Sequence, residues 1–141
     1  MPDDYLDSLS ADERAGMWRT ALEQPPGPRR SRFVVEDASG TVIGFILVGP
    51  EDGDDDTSTG ELFAINVDPD HWGSGAGRVL HDAGVDALSD AGFDRAVLWV
   101  HPDNARARSF YESLGWQSDE IIRQAEVLGV EVPEVRYSIS L

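Results

Sequence analysis

Val67-Asp68-Pro69-Asp70-His71-Trp72-Gly73-Ser74-Gly75-Ala76-Gly77-Arg78 follows a short apolar run at residues 62–67 and leads into a segment with helical periodicity. Leu80, Ala83, Ala87 and Leu88 recur at the spacing of one helix face through about residue 91, where Gly92 stops the pattern. A strand, a glycine turn and a helix in this order form a general device for holding an anion. Glycines let the backbone approach closely, and the first amides of the helix have no helical carbonyl to bond. Two familiar versions are disfavoured by spacing. The turn is too short for a P-loop and lacks the Lys followed by Ser or Thr, and the Gly-x-Gly-x-x-Gly register of a dinucleotide fold is absent.

On the N-terminal side, residues 3–24 are expected to be helical, with Ser10 and Glu13 as a capping box and Ala11, Ala15, Trp18 and Leu22 at helical spacing. Gln24-Pro25-Pro26-Gly27-Pro28 ends that helix. Residues 32–36 and 42–48 read as a hairpin around Asp37-Ala38-Ser39-Gly40, and the acidic run at 51–59 reads as a solvated turn, because it lacks the ligand spacing of a calcium loop. On the C-terminal side a strand is expected at 96–100 and a helix at 104–114, closed by Gly115, with two last strands at 116–120 and 135–141. The expected order is α-β-β-β-α-β-α-β-β. It describes a single α/β domain over residues 1–141, built on one mixed sheet.

Composition narrows the function. The 141 residues suit one domain, and 40% hydrophobic content suffices for one core. No apolar run approaches the roughly 18 residues of a membrane span, and Met1-Pro2-Asp3-Asp4 is unlike a signal peptide, so a cytoplasmic protein without a membrane partner is expected. With no cysteine, thiolate metal sites and cysteine nucleophiles are excluded, and no metal site is expected. There are 27 acidic residues against 11 basic ones, every one of them Arg, for a net charge of −16. Such a surface repels nucleic acid and is compatible with a cationic substrate.

The glycine segment resembles the pyrophosphate-binding segment of GNAT acetyltransferases, whose pattern is Gln/Arg-x-x-Gly-x-Gly/Ala. Gly75 and Gly77 match its glycines, while Trp72 stands where Gln or Arg is usual. Downstream, Asn104-x-x-Ala107-x-x-Phe110-Tyr111-x-x-x-Gly115-Trp116 is similar to the second signature of the family. The resemblance implies a GNAT-like α/β fold and an enzyme that transfers an acetyl group from acetyl-CoA directly to a primary amine, on a small molecule or a peptide. It implies that the strand at Ile65, Asn66 and Val67 splays from its neighbour and pairs with the pantetheine arm. It also implies that the amides of Trp72, Gly73, Ser74, Gly75, Ala76, Gly77 and Arg78 hold the pyrophosphate, with the Arg78 guanidinium as an extra contact, and that Asn104 bonds the pantetheine.

By the same resemblance Tyr111 is the general acid that reprotonates the departing thiolate, and Phe110 beside it is core. Glu61 occupies the place of the base carboxylate in some members of the family, and reads equally well as a solvated glutamate at a strand end. His71 and His101 are further candidates for the base. The family usually begins with a strand and a helix before the segment resembling residues 3–24, so the fold is expected to be N-terminally shortened, with an open sheet edge that invites a homodimer. Two other readings stay open: a non-catalytic acyl-CoA-binding module of the same fold, and a nucleotide-binding α/β protein that uses the glycine turn for ATP or NAD.

Overall fold

Alternation of apolar residues along the strands builds one twisted sheet with a helical side and an opposite side. The computed structural model describes residues 18–20 and 29–141. The strands are β1 (Trp18–Thr20), β2 (Ser31–Glu36), β3 (Val42–Pro50), β4 (Thr59–Val67), β5 (Arg95–Val100), β6 (Gln117–Val127) and β7 (Val130–Ser140), and the helices are α1 (Ala76–Asp90) and α2 (Ala105–Ser113). The sheet order is β1-β2-β3-β4-β5-β7-β6, antiparallel except for the β4–β5 pair. No helix among the described residues is long and apolar enough to cross a membrane.

One expectation is overturned. Trp18–Thr20 is strand and not helix, paired with Val35, Val34 and Phe33 of β2. The helical spacing of Trp18 with its neighbours yields to the unpaired backbone edge that β2 offers, because a ladder satisfies groups which a helix here would leave exposed. The rest of the expected 3–24 helix lies outside the described residues. The C-terminal strands also run further than expected: β6 and β7 form one hairpin with Val127 opposite Val130 around Leu128-Gly129. Trp116 is not in a strand but is a buried anchor before β6.

Both helices cover the same side. On α1 the buried positions are Ala76, Leu80, His81, Gly84 and Leu88, a strict four-residue spacing plus one histidine, while Ala83 and Ala87 are only half-buried. These pack on Val35, Ile46 and Val48 of the sheet. The packing is close at Gly84, where a Cβ would lie 2.6 Å from Ile46 Cδ1. Tyr111, Trp116 and Tyr137 complete the core over β5 and β7. The Trp116 indole donates to His81 Nε2 at 2.9 Å, which leaves Nδ1, 2.9 Å from Asp82 Oδ1, as the ring nitrogen that can donate. The chain leaves α2 through Gly115 (φ 100), with Trp116 N bonded back to Tyr111 O, so the same turn fixes the tryptophan that anchors α1.

The acidic turn after β3 is less free than its composition suggests. Arg30 pairs with Asp55 at 2.7 Å, and Arg29 donates to Thr57 O at 2.9 Å. Its first residues, Glu51–Gly53, form a short 3-10 turn.

The β3–β4 contact is tightest where β4 approaches the glycine turn. Gly44 faces Val67, and a Cβ at Gly44 would lie 2.6 Å from the carbonyl oxygen of Asn66. Because that neighbour is backbone, β4 itself must move to admit a side chain. Gly44→Ala is therefore expected to destabilise the protein by ~1–3 kcal/mol in urea unfolding; an unchanged midpoint would mean that the strands separate there at no cost.

Candidate active site

Pairing between β4 and β5 stops after three rungs, Thr59 with Arg95, Gly60 with Ala96 and Glu61 with Val97. Beyond Glu61 both strands continue, β4 to Val67 and β5 to Val100, without bonding each other. The result is a V-shaped split in the middle of the sheet, whose walls carry unpaired backbone donors and acceptors. A long ligand with amide groups can bond such a wall as an added strand would. Ile65, Asn66 and Val67 lie on the β4 wall.

A one-residue slip in β4 determines what faces this split. Leu47 is opposite Ala64 but Val48 is opposite Leu62, so Phe63 bulges out with no partner on β3. Because side chains alternate along a strand, one extra residue reverses the facing of everything before it. Ile65 and Val67 therefore face the helices, and so do Leu62 and Gly60, while Glu61 is turned to the opposite side. There its Oε1 accepts from Asp52 N at 2.9 Å, and the residue is buried at 6% exposure. Burial raises its carboxyl above the usual 4.5, helped by Asp52 and Glu51 and opposed by the Asp52 hydrogen bond and by Arg123. Glu61 is thus neither solvated nor frayed: it is a buried carboxylate at the vertex of the split.

At the open end of β4, Asp68 caps the short 3-10 turn Pro69–His71 by accepting from Asp70 N, and the chain then turns through Gly73 (φ 81) and Gly75 (φ 92). Gly75 is the N-cap of α1, and a Cβ at Gly73 would meet nothing within 4 Å, so the mouth of the turn is open. The Ser74 hydroxyl sits 3.4 Å from Ala76 N. Gly77 brings α1 against its neighbours: a Cβ there would lie 3.5 Å from the Phe110 ring and 3.8 Å from Val67 Cγ2. Trp72 is half-exposed and donates its indole N–H to Val67 O at 2.8 Å, and the Arg106 guanidinium lies 3.8 Å from its ring centre. Arg78 lies 3.4 Å from Asp82, one turn along α1. Open glycine backbone, two helix N-termini and arginine side chains suit an anionic ligand end.

Asn104 caps α2, its Oδ1 accepting from Ala107 N at 3.1 Å, which leaves the Nδ2 hydrogens as the donors it can offer a ligand. Tyr111 lies on the helical side among Phe110, Trp116 and Tyr137, with ring centres 5.5, 6.1 and 6.5 Å away. Burial pushes its hydroxyl up to about 12, so it holds its proton throughout the physiological range. Glu61 and Tyr111 thus stand on opposite sides of the sheet. His101 is occupied, its Nδ1 accepting from Asp103 N at 3.1 Å, and His71 stands 3.9 Å from Asp37. Sequence reading missed Arg106, Arg123 and Trp99. Arg123 of β6 lies 4.0 Å from the Trp99 ring centre and bonds Glu134 at 2.9 Å. It reaches the Glu61 side only because the hairpin overhangs β5, an arrangement with no local signal. Among the described residues no group of three acidic or histidine side chains could hold a metal.

Comparison with known proteins agrees with this geometry. The profile described as "Acetyltransferase (GNAT) family" matches residues 2–116. A mycothiol acetyltransferase of Kocuria rhizophila is 40% identical over 64% of this chain and 31% of its own length. The chain thus spans about a third of that relative. The uncharacterised N-acetyltransferase YuaI of Bacillus subtilis is 31% identical over 96% of this chain and 73% of its own. Among solved structures, the ribosomal-protein-S18-alanine N-acetyltransferase of Escherichia coli superposes with a TM-score of 0.65 at 23% identity, over 94% of this chain and 90% of that one. The acetyl-CoA complex of yncA from Salmonella typhimurium gives 0.67 at 23% identity, over 79% and 64%. With a family profile covering most of its length and a sheet split where that family's fold is split, this chain belongs to the GNAT acetyltransferase family.

Proposed function

We propose that this chain is an acetyl-CoA-dependent N-acetyltransferase that transfers acetyl to a primary amine within a ternary complex. The observation that carries it is the split between β4 and β5, with an open glycine turn at its mouth, Glu61 on one side and Tyr111 on the other. Acetyl-CoA, when bound, supplies an activated thioester. The β4 wall at Ile65, Asn66 and Val67 bonds the pantetheine amides, Asn104 Nδ2 donates to it, and the amides from Trp72 to Arg78 hold the diphosphate.

Glu61 takes the proton that the amine must lose. Its raised carboxyl makes it a better base than an ordinary glutamate. Tyr111 gives a proton to the departing sulfur; a phenol held protonated by burial is competent as the acid and not as the base. The two groups act from opposite sides of the sheet, so the amine enters on the Glu61 side. The surrounding carboxylates of Glu51 and Asp52 favour a cationic acceptor there.

Calorimetric titration tests the first step. The wild type is expected to bind acetyl-CoA, and Ser74→Asp to bind at least about tenfold more weakly, because a carboxylate at the turn repels phosphate while still suiting a helix N-terminus. Absence of binding by the wild type would overturn the assignment. Binding without thiol release across a panel of amines would leave an acyl-CoA-binding module.

Tyr111→Phe keeps the ring packing and removes only the hydroxyl. Steady-state kinetics should show kcat reduced by about 10²-fold or more with little change in acetyl-CoA affinity; an unaltered kcat would exclude Tyr111 as the acid.

Glu61→Gln is expected to lower kcat/KM for the amine by ~10²–10⁴-fold and to remove the acid limb of the pH profile. Stability should move the other way. A folded carboxyl above 4.5 holds its proton longer than the unfolded one, so wild-type stability falls as pH rises from 4.5 through the folded value. Thermal unfolding of Glu61→Gln should lack that fall and leave the variant at least as stable at pH 7.

A further inference from the structure

The first turn of α2 is charged against its own helix. Arg106 and Arg108 sit there with no acidic residue, although a helix N-terminus favours anions and the chain has 27 acids to 11 arginines. Arg108 has a structural reason: it donates to Pro102 O at 2.8 Å and to the Tyr137 hydroxyl at 2.9 Å. Arg106 has none of that kind. It is exposed, and its guanidinium lies 3.8 Å from the centre of the Trp72 ring.

Trp72 is held for this contact by its indole N–H bond to Val67 O at 2.8 Å, and it immediately precedes Gly73-Ser74-Gly75. A guanidinium stacked on an indole is weakly hydrated and keeps its N–H edges available for an anion. Arg78 also stands in a first turn without an acid, that of α1. Arginines thus stand at two neighbouring helix N-termini at one edge of the split, Arg78 paired with Asp82 at 3.4 Å and Arg106 stacked on Trp72.

We infer that Arg106, clamped on Trp72, is a phosphate-binding residue of the cofactor site. The pair replaces the side-chain donor that Trp72 itself does not supply. The ring positions the cation, and the cation contacts the ligand. This assignment rests on the acetyl-CoA reading above and names a residue of that same site. The ligand group is a phosphate of the cofactor, either the diphosphate or the 3′-phosphate.

Binding of CoA, 3′-dephospho-CoA and pantetheine to the wild type, Arg106→Gln and Trp72→Leu, measured by calorimetry at two ionic strengths, tests it. Arg106→Gln is expected to weaken CoA about tenfold and to reduce the salt dependence of binding, with pantetheine affinity unchanged. Loss for both CoA and 3′-dephospho-CoA identifies the diphosphate; loss for CoA alone identifies the 3′-phosphate. Trp72→Leu should reproduce the loss, and the double variant should lose no more than either single one. Unchanged CoA affinity in Arg106→Gln overturns the assignment, as does equal weakening of pantetheine, which would mark a structural effect. Unchanged affinity in Trp72→Leu overturns the clamp. If the wild type binds no CoA, the acetyl-CoA reading itself fails, an outcome separate from wild-type binding that is indifferent to Arg106.

Discussion

The early end of β4–β5 pairing is the constraint on which the site depends. Three parallel rungs hold the two halves of the sheet in one plane, and beyond Glu61 the strands part. Each unpaired amide and carbonyl in a buried sheet costs free energy. Here the cost is tolerated because the split opens to the surface at the glycine turn, where Gly73 faces empty space. The strands are kept apart by what packs beneath them. Gly77 seats α1 against Phe110 and Val67, and the Trp116–His81 bond ties α1 to the turn that ends α2.

The bulge at Phe63 makes this split chemically two-sided. Had β4 run in regular register, Glu61 would face the helices with Ile65, and a carboxylate would lie in the apolar core. One additional residue turns it to the other side, where the Asp52 amide receives it and Arg123 lowers the cost of its charge. Tyr111 stays on the helical side with its proton secured by burial. Both shifts are upward and follow from one leading cause, desolvation, acting on two different groups. A carboxyl becomes a stronger base, and a phenol becomes a group that donates only.

The charge of the chain follows a similar division. Acidic residues dominate the sequence, yet the first turns of α1 and α2 carry arginines and no acid. The macrodipole opposes cations there; Arg108 is accounted for by its bonds to Pro102 O and the Tyr137 hydroxyl and Arg78 by Asp82, which leaves Arg106 to what lies in front of its helix. Trp72 belongs to the same arrangement. It departs from the Gln or Arg of the family pattern, yet it brings a guanidinium to the turn by stacking, from a residue 34 positions away in sequence.

Much of this was legible in the sequence. The glycine turn, the stop of α1 at Gly92, the extent of α2 with its Gly115 cap and the hairpin of β2 and β3 rest on local chemistry, which residues carry with them wherever they go. Through the two motifs, Gly75, Gly77, Asn104 and Tyr111 were placed in the same way. What local chemistry could not supply was the strand at Trp18–Thr20, formed because β2 offers an edge, and the long β6–β7 hairpin, whose middle alternates poorly. Nor could it supply the facing of Glu61, the stacking of Arg106 on Trp72 or the approach of Arg123 to Trp99. Each of these depends on strand register or on contact between distant segments. The sequence alone determined the elements whose ends are set by turns and caps, and which backbone turn can receive an anion, because turns and caps are settled by neighbouring residues. The tertiary structure alone decided which side of the sheet each reactive group faces, because register is fixed only when the strands pair.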